Sequence, residues 1–250
     1  MSGSSNMSQS IALEVCVAAD DLKNLPSQME AVNQGGAQRV ELCAAMVDEG
    51  LSPTVPAIEL ARAALDQSIE LLVMIRPRAG DFCYSPSEIS QMQQQVESAA
   101  KAGASGVVLG ALNHQQQLAI PALERLLATA QQAGLHSTFH RAFDALSHPL
   151  DAITPLRELG VKRVLSCGTP WQSGKSAIDG LTCLKAFLQG AQGQMELVVG
   201  GGVNQHNLPH LHQALQAVDG PRSFHCYSAV LTAGQVDPHK LRQMLSILGR

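Results

Sequence analysis

The sequence predicts a single (β/α)8 barrel, because short apolar runs and amphipathic stretches alternate eight times along the chain. Its 250 residues match the usual length of such a barrel. The units are evenly spaced and no linker divides the chain, which favours closure over the alternative, an open doubly wound sheet. We expect a disordered leader over residues 1–10 and one barrel domain over residues 11–250.

The predicted strands are short runs of β-branched and other apolar residues that end at polar or glycine-containing turns. Stretches rich in alanine, leucine and glutamine follow them and predict helices, several of which begin at a proline and end before a glycine. The strands are expected at residues 12–17, 39–43, 70–76, 106–110, 136–141, 163–167, 196–200 and 222–227. The helices are expected near residues 22–34, 54–66, 86–102, 120–133, 148–159, 176–189, 207–217 and 238–248.

The composition argues against nucleic acid and membrane as partners. The net charge is -4, no basic run occurs and only 3% of residues are aromatic, so a nucleic acid would find few contacts. No apolar stretch reaches the ~20 residues that span a bilayer, and residues 1–10 lack the segments of a signal peptide. We therefore expect a cytoplasmic protein whose six cysteines, which lack C-x-x-C spacing, are free thiols.

Two neighbouring strands carry the same Glu-x-Cys pattern near the end at which barrels place their chemistry. Side chains alternate along a strand, so Glu14 shares a face with Cys16, and Glu41 shares a face with Cys43. The pattern predicts that the two Glu-x-Cys pairs lie at the same depth. The third strand continues into Arg-Pro-Arg, and the fifth ends in "FHRAFD".

Two interpretations of these charged strand ends stay open. A buried carboxylate needs a partner, so Arg76 can form a structural ion pair with Glu14 or Glu41. In the other interpretation the residues form a pocket that binds a small anionic ligand and moves a proton. The catalytic candidates are His140, Glu41, Glu14 and Asp144. The ligand-binding candidates are Arg76, Arg78, Asp81, Arg141, Gly201, Gly202 and His225.

The segment "GGGVNQHN" follows the seventh strand and contains Gly201 and Gly202. A glycine-rich turn that leads into a helix can direct backbone N–H groups at an anion, and barrels often bind phosphate at this place. Three glycines are equally typical of a tight turn without a ligand.

Cys16 and Cys43 are the candidate metal ligands, because soft thiolates suit Cu(I) and the two residues lie on neighbouring strands. Each of them can equally be a small buried hydrophobic residue. The chain contains no H-E-x-x-H, G-x-S-x-G or P-loop motif, and we expect no organic cofactor.

Four segments together resemble the CutC copper homeostasis family. They are "GAQRVELC" at 36–43, "IRPRAGDFCYS" at 75–85, "TFHRAFD" at 138–144 and "RVLSCG" at 163–168. The resemblance extends over residues 13–229. One departure is the eighth strand, where "HCYSA" has one residue more than the His-x-Ser-Ala of the family.

The resemblance implies a cytoplasmic (β/α)8 barrel, frequent formation of homodimers or higher homo-oligomers, and a function in copper homeostasis with Cys16 and Cys43 as Cu(I) ligands. The residues themselves favour an alternative, a metal-independent lyase, isomerase or epimerase that acts on a small phosphorylated or carboxylated compound. In that alternative His140 and Glu41 exchange the proton, and Arg76 with Arg78 clamps the anion. The sequence leaves open whether the protein is an enzyme.

Overall fold

The computed structural model describes residues 11–250 and confirms the closed barrel of eight parallel strands. The predicted leader, residues 1–10, lies outside the described residues. Each strand pairs with the next along the chain, and the last pairs with the first. The strands are β1 (Ala12–Ala18), β2 (Arg39–Cys43), β3 (Glu70–Met74), β4 (Gly106–Leu109), β5 (His136–Phe139), β6 (Arg163–Ser166), β7 (Glu196–Val199) and β8 (Arg222–Cys226).

Eight helices connect or follow these strands, and a short hairpin precedes the last helix. The helices are α1 (Leu25–Gly35), α2 (Val55–Ala64), α3 (Pro86–Lys101), α4 (Ile120–Gln132), α5 (Ile153–Glu158), α6 (Leu181–Ala191), α7 (Leu208–Gln216) and α8 (Pro238–Ile247). The hairpin consists of β9 (Leu231–Thr232) and β10 (Gln235–Val236), and four short 3-10 helices lie at Met46–Asp48, Arg141–Ala145, Pro149–Ala152 and Ser228–Val230.

The largest differences from the predicted elements are at the fifth and sixth helices. The stretch predicted as one helix is a 3-10 turn followed by α5. Pro155 explains the break, because it has no N–H with which to continue a regular helix from the preceding turn. Helix α6 begins at Leu181 rather than at residue 176, after a turn in which the N–H and hydroxyl of Ser176 both donate to Asp179.

The apolar residues form two clusters on opposite faces of the barrel wall. The larger cluster fills the space between the strands and the surrounding helices. The smaller one lies inside the barrel and includes Cys16, Cys43, Leu72 and Met74. Since strand residues alternate between the two faces, the charged residues next in the alternation, such as Glu14 and Glu41, also lie inside.

The expectation that Cys16 and Cys43 lie at the same depth is wrong. Cys16 is level with Glu41, and Cys43 is level with Ala18, one alternation step further along the strand. Neighbouring strands of a closed barrel are staggered, so equal positions within two strands do not have equal heights. This stagger places the Glu41 carboxylate beside both thiols.

No helix among residues 11–250 combines the length and apolar character that crossing a lipid bilayer requires.

Candidate functional site

A cavity of about 270 Å³ opens at the carboxyl ends of the strands, where barrels of this type hold their active sites. Six of the residues predicted from the sequence line it: Cys16, Glu41, Cys43, Arg76, His140 and His225. Arg141, Gly201 and Gly202 also border it. Glu49 and Cys226 line it too, so the cavity collects two carboxylates, three thiols, two imidazoles and two guanidinium groups in one small volume.

His225 stands between two buried carboxylates. Its Nδ1 donates to Glu14 Oε1 over 2.9 Å, and its Nε2 lies 3.8 Å from Glu41 Oε2. Burial opposes a charged imidazole, but the charges of Glu41 and Glu14 outweigh burial and raise the pKa of His225. The structure thus places an imidazole with a raised pKa within 3.8 Å of Glu41.

The two carboxylates have opposite pKa shifts. Burial alone would raise the pKa of Glu14, but the hydrogen bond from His225 and the charge of Arg39 lower it. Burial raises the pKa of Glu41, and the charge of His225 offsets this only in part. Pairs of titratable groups with divergent pKa values are typical of acid–base sites.

Arg39, rather than Arg76, pairs with Glu14, so of the two interpretations left open for Arg76 the structural ion pair is not formed. Arg39 Nε lies 3.3 Å from Glu14 Oε2, and Arg39 Nη2 lies 2.6 Å from Glu196 Oε1. Arg163 extends this network by pairing with Glu196 and with Glu70. Sequence reasoning missed it because these residues lie near the beginnings of strands, where barrel residues usually serve stability.

Arg76 is buried but forms no ion pair with any carboxylate among residues 11–250. Its Nη1 donates to the carbonyl oxygens of Asp48 and Gly50, and its Nη2 donates to that of Gly80. The guanidinium also lies over the ring of Phe82, with 5.2 Å from Cζ to the centroid. The carbonyl groups fix the orientation of Arg76, and no carboxylate of the described residues lies within 4.0 Å of its guanidinium.

Arg78 and Asp81 do not line the cavity, and the structure does not bring Arg78 together with Arg76 as a clamp. Arg78 Nε donates to Glu88 over 2.6 Å, and its Nη2 pairs with Asp81 at 3.0 Å. Glu88 also closes the capping box of α3 with Ser85. Pro77 separates the two arginines, and the second one follows the chain outward to support the start of α3.

Asp144 is buried away from the cavity lining and holds a loop. It accepts hydrogen bonds from the hydroxyl of Ser166 and the N–H of Cys167, and it pairs with Arg141 Nε over 2.8 Å. Arg141 in turn lies over the ring of Trp171, with 4.9 Å from Cζ to the centroid. This geometry makes Asp144 a support for Arg141 rather than a group that faces a ligand.

Gly201 and Gly202 border the cavity, and each has a backbone conformation that favours glycine, with φ of 89° and 76°. A Cβ on Gly201 would lie 2.6 Å from the sulfur of Cys167. Helix α7 begins at Leu208, close to the predicted start near residue 207, and residues 203–207 separate the glycines from it. Glycine is therefore favoured at both positions by the backbone conformation of the turn, and at Gly201 also by the close packing of Cys167.

The two predicted metal ligands do approach each other. One ligand atom from each of Cys16, Glu41 and Cys43 lies within 4.8 Å of the others. Cys16 Sγ also donates to the thioether of Met46 over 3.7 Å, and Cys43 Sγ donates to Glu41 Oε2 over 3.4 Å. A set of two thiols and a thioether suits Cu(I).

Both thiols are held in the protonated form. The hydrogen bond with Cys43 favours the Cys16 thiolate, but burial and the nearby Glu41 carboxylate prevail and raise the pKa of Cys16. The hydrogen bond with Cys16, followed by burial, raises the pKa of Cys43 well above its ordinary value. A metal ion would therefore have to displace protons from both sulfurs.

Several cavity residues were not predicted from the sequence. Phe82, Trp171 and Tyr227 supply aromatic walls, and Met46 supplies the thioether. Phe82 and Tyr227 belong to segments already singled out by their motifs, whereas no pattern marks Met46 or Trp171, which reach the cavity from loops. Trp171 is the single tryptophan of the chain, so its fluorescence reports on this cavity.

Comparisons with known proteins identify the family. The CutC family matches residues 11–224. A CutC protein of Xanthomonas campestris pv. campestris is 37% identical over 210 residues, which cover 84% of this chain and 82% of that protein. One from Bacteroides thetaiotaomicron is 40% identical over 181 residues, 72% of this chain and 70% of that protein.

A solved structure gives the same result. The structure named "Putative Copper Homeostasis Protein CutC", from Streptococcus agalactiae, superposes with a TM-score of 0.75 at 30% identity, and the match covers 86% of this chain and 98% of that one. A thiamine phosphate pyrophosphorylase of Pyrococcus furiosus, at a TM-score of 0.57 and 17% identity, shares the fold. The chain therefore belongs to the CutC family.

Proposed function

We propose that this protein is a metal-independent isomerase, epimerase or lyase that acts on a small carboxylated or phosphorylated compound in the barrel-mouth cavity. The observation that carries the proposal is the buried Arg76, which has no direct ion-pair partner among the described residues, in the same cavity as the Glu41–His225 pair. A buried cation without a counter-charge is unfavourable, and an anionic ligand would supply the missing charge.

The residues divide into binding and proton transfer. Arg76, held by three carbonyl groups, binds the anionic group of the ligand. Glu41 exchanges a proton with the bound compound, because its raised pKa brings it closer to neutral pH. His225 stabilises the Glu41 carboxylate, and Glu14, which stays ionised, holds the imidazole in place through Nδ1.

A thermal-stability screen tests the binding step. Phosphate, 2-phosphoglycolate, pyruvate and citrate are each added to the protein, since a ligand of the native state raises the unfolding temperature. We expect at least one anion to stabilise the wild type and the Arg78→Met variant but not Arg76→Met. Arg78→Met is the matched control because Arg78 lies close in sequence but outside the cavity. Equal stabilisation of Arg76→Met would contradict the proposal.

The thiol cluster supports a second candidate function, the binding of Cu(I). Cys16 and Cys43 would hold the ion as thiolates, with Met46 as a third sulfur donor. The copper-related description of the Streptococcus agalactiae protein agrees with this role. Because both thiols have raised pKa values, we expect the affinity for Cu(I) to increase with pH.

Competition between the reduced protein and a calibrated Cu(I) chelator tests this second function. Tight, stoichiometric binding that disappears in Cys16→Ser/Cys43→Ser and weakens in Met46→Leu would support it. Met74→Leu serves as the comparison, since Met74 packs in the same interior cluster. Affinity that stays the same in the double variant would rule out the thiols as ligands.

A further inference from the structure

The tautomer of His140 is fixed by its own loop. The N–H of Ala142 donates to His140 Nδ1 over 3.1 Å, so this nitrogen must carry the lone pair. Burial, together with the charge of Arg76, lowers the pKa of His140 to about 3, and the ring is neutral at physiological pH. A neutral imidazole with a lone pair on Nδ1 carries its hydrogen on Nε2.

The position of this ring is fixed as well. The N–H of His140 donates to the carbonyl oxygen of Leu109, which continues the pairing between β4 and β5. Gly110 leaves the space that the ring occupies, because a Cβ there would lie 2.6 Å from Cε1 and 2.7 Å from Nδ1. Phe82 packs against the ring, with 5.0 Å between centroids. The imidazole therefore has little freedom to turn.

The Nε2–H has no acceptor among the described residues, although His140 is only 3% exposed and borders the cavity. A buried donor without a partner is unfavourable, because it has given up its hydrogen bonds to water. A ligand oxygen that accepts this hydrogen bond would remove the penalty. Ionised His140 is unfavourable beside Arg76, so the residue is suited to donate a hydrogen bond and not to exchange protons as a general acid or base.

Arg76 and His140 contact the same aromatic ring. Arg76 Cζ lies 5.2 Å and the His140 ring 5.0 Å from the centroid of Phe82. A single small molecule can thus place an anionic group near Arg76 and a second oxygen near His140. The Glu41–His225 pair lines the same cavity and supplies the group that exchanges the proton.

We infer that His140 donates its Nε2–H to the carbonyl oxygen of the substrate, and that the substrate is a small carbonyl compound with a carboxylate or phosphate group. The inference rests on the proposed enzymatic function and specifies its substrate class. Glu41 removes a proton from the carbon next to the carbonyl, and the C–H electron pair forms the C=C bond of an enolate. The carbonyl oxygen takes the negative charge and accepts the hydrogen bond from His140. Return of this proton from Glu41 to the former carbonyl carbon, after the hydroxyl proton of the neighbouring carbon has moved to the enolate oxygen, completes an isomerisation.

Exchange of carbon-bound hydrogen in D2O, followed by proton NMR, tests the inference. The probes are dihydroxyacetone phosphate and pyruvate, and their matched controls without a carbonyl group are glycerol 3-phosphate and lactate. We expect the protein to accelerate hydrogen exchange at the carbon next to the carbonyl group in at least one probe. We expect no accelerated exchange of carbon-bound hydrogen in either control. We expect His140→Phe, which keeps a ring but has no N–H, to reduce this exchange at least 100-fold.

Two results would overturn the inference. One is exchange in His140→Phe within threefold of the wild type, and the other is the absence of accelerated exchange in both carbonyl probes. If neither probe exchanges but anions still stabilise the wild type through Arg76, only the carbonyl substrate class is excluded. If no anion stabilises the wild type, the proposed enzymatic function itself is excluded. Nitrogen NMR of the wild-type imidazole is independent of whether the variant folds, and a hydrogen on Nδ1 instead of Nε2 between pH 5 and pH 8 would also overturn it.

Discussion

Glu14 and Glu41 are both buried glutamates of the barrel interior, yet they have different functions in this account because their partners differ. Glu14 contacts Arg39 and accepts from His225, so it remains an anion. Glu41 has no arginine partner among the described residues, and its pKa is raised. Both residues are glutamates, and the charges around each one decide its function. Glu14 orients His225, whereas Glu41 exchanges a proton.

Glu14→Gln is expected to lower the pKa of His225, because the imidazole loses a negatively charged acceptor. A group whose folded pKa is raised stabilises the fold below its unfolded pKa and loses this contribution as pH rises through the folded value. The stability deficit of the variant should therefore be larger below about pH 6.5 than in alkaline solution. An NMR titration of His225 and urea unfolding at several pH values measure both effects, and an unchanged His225 pKa would contradict the assignment.

His140 should have the opposite effect on the pH dependence of stability. Its folded pKa of about 3 lies below the ordinary value of 6.5, so the unfolded chain binds a proton that the native state does not. Stability then falls as pH falls below about 6.5. Between pH 7 and pH 4.5 the wild type should lose about 2–3 kcal/mol more than His140→Gln. An equal loss in the two proteins, measured by urea unfolding, would mean that His140 is not neutral and buried.

At the scale of elements, the site depends on how closely the ends of β4 and β5 approach. Gly110 and His140 are the first residues after these strands, and the imidazole occupies the space where a Cβ of residue 110 would lie. Overpacking of such a contact typically costs about 1–3 kcal/mol. We expect Gly110→Ala to destabilise the protein by this amount.

A double-mutant cycle checks that the His140 ring is the cause. In the background of His140→Ala the ring is absent, so Gly110→Ala should then cost at least about 0.5 kcal/mol less than in the wild type, the smallest coupling typical of residues in contact. If the losses in the free energy of unfolding of the two single variants simply add in the double variant, the His140 ring is not the cause of the strain.

The strands and helices were largely predictable from the sequence. The exact residues at which they end, and the stagger of neighbouring strands along the barrel axis, were not. Alternation of apolar runs with amphipathic stretches is a local signal, and all eight predicted strands are present. Most strands end one or two residues early, so that Arg76 and His140 lie just beyond them. The stagger between Cys16 and Cys43, and the outward direction of Arg78, depend on barrel closure and on contacts with distant residues.

At the scale of the whole molecule, a chain of charges connects the bottom of the barrel to the cavity. It runs from Glu70 through Arg163, Glu196 and Arg39 to Glu14, which holds His225. Residues at the bottom of a barrel usually serve stability. Here Arg39 and Arg163 also lower the pKa of Glu14. The same residues therefore stabilise the fold and keep the Glu14 carboxylate ionised.

Arg39→Met tests this connection. Removal of one partner from a buried network leaves an uncompensated charge, which typically costs about 3–5 kcal/mol. We expect such a loss in urea unfolding together with a higher pKa of Glu14. The double variant Arg39→Met/Glu14→Gln removes the orphaned charge and should recover part of the stability. No recovery would show that the loss arises from packing.

The claim that the charged residues and not the thiols carry the function is tested most directly by ligand titrations followed by the fluorescence of Trp171, the single tryptophan. 2-Phosphoglycolate is added to the wild type, Arg76→Met and Cys16→Ser/Cys43→Ser, in which the hydroxyl groups keep hydrogen bonds to Glu41. We expect a saturable change in fluorescence, with a Kd that the serine variant retains within about threefold and that Arg76→Met weakens at least tenfold, about 1.4 kcal/mol. Binding that survives in Arg76→Met and disappears with the thiols would contradict it.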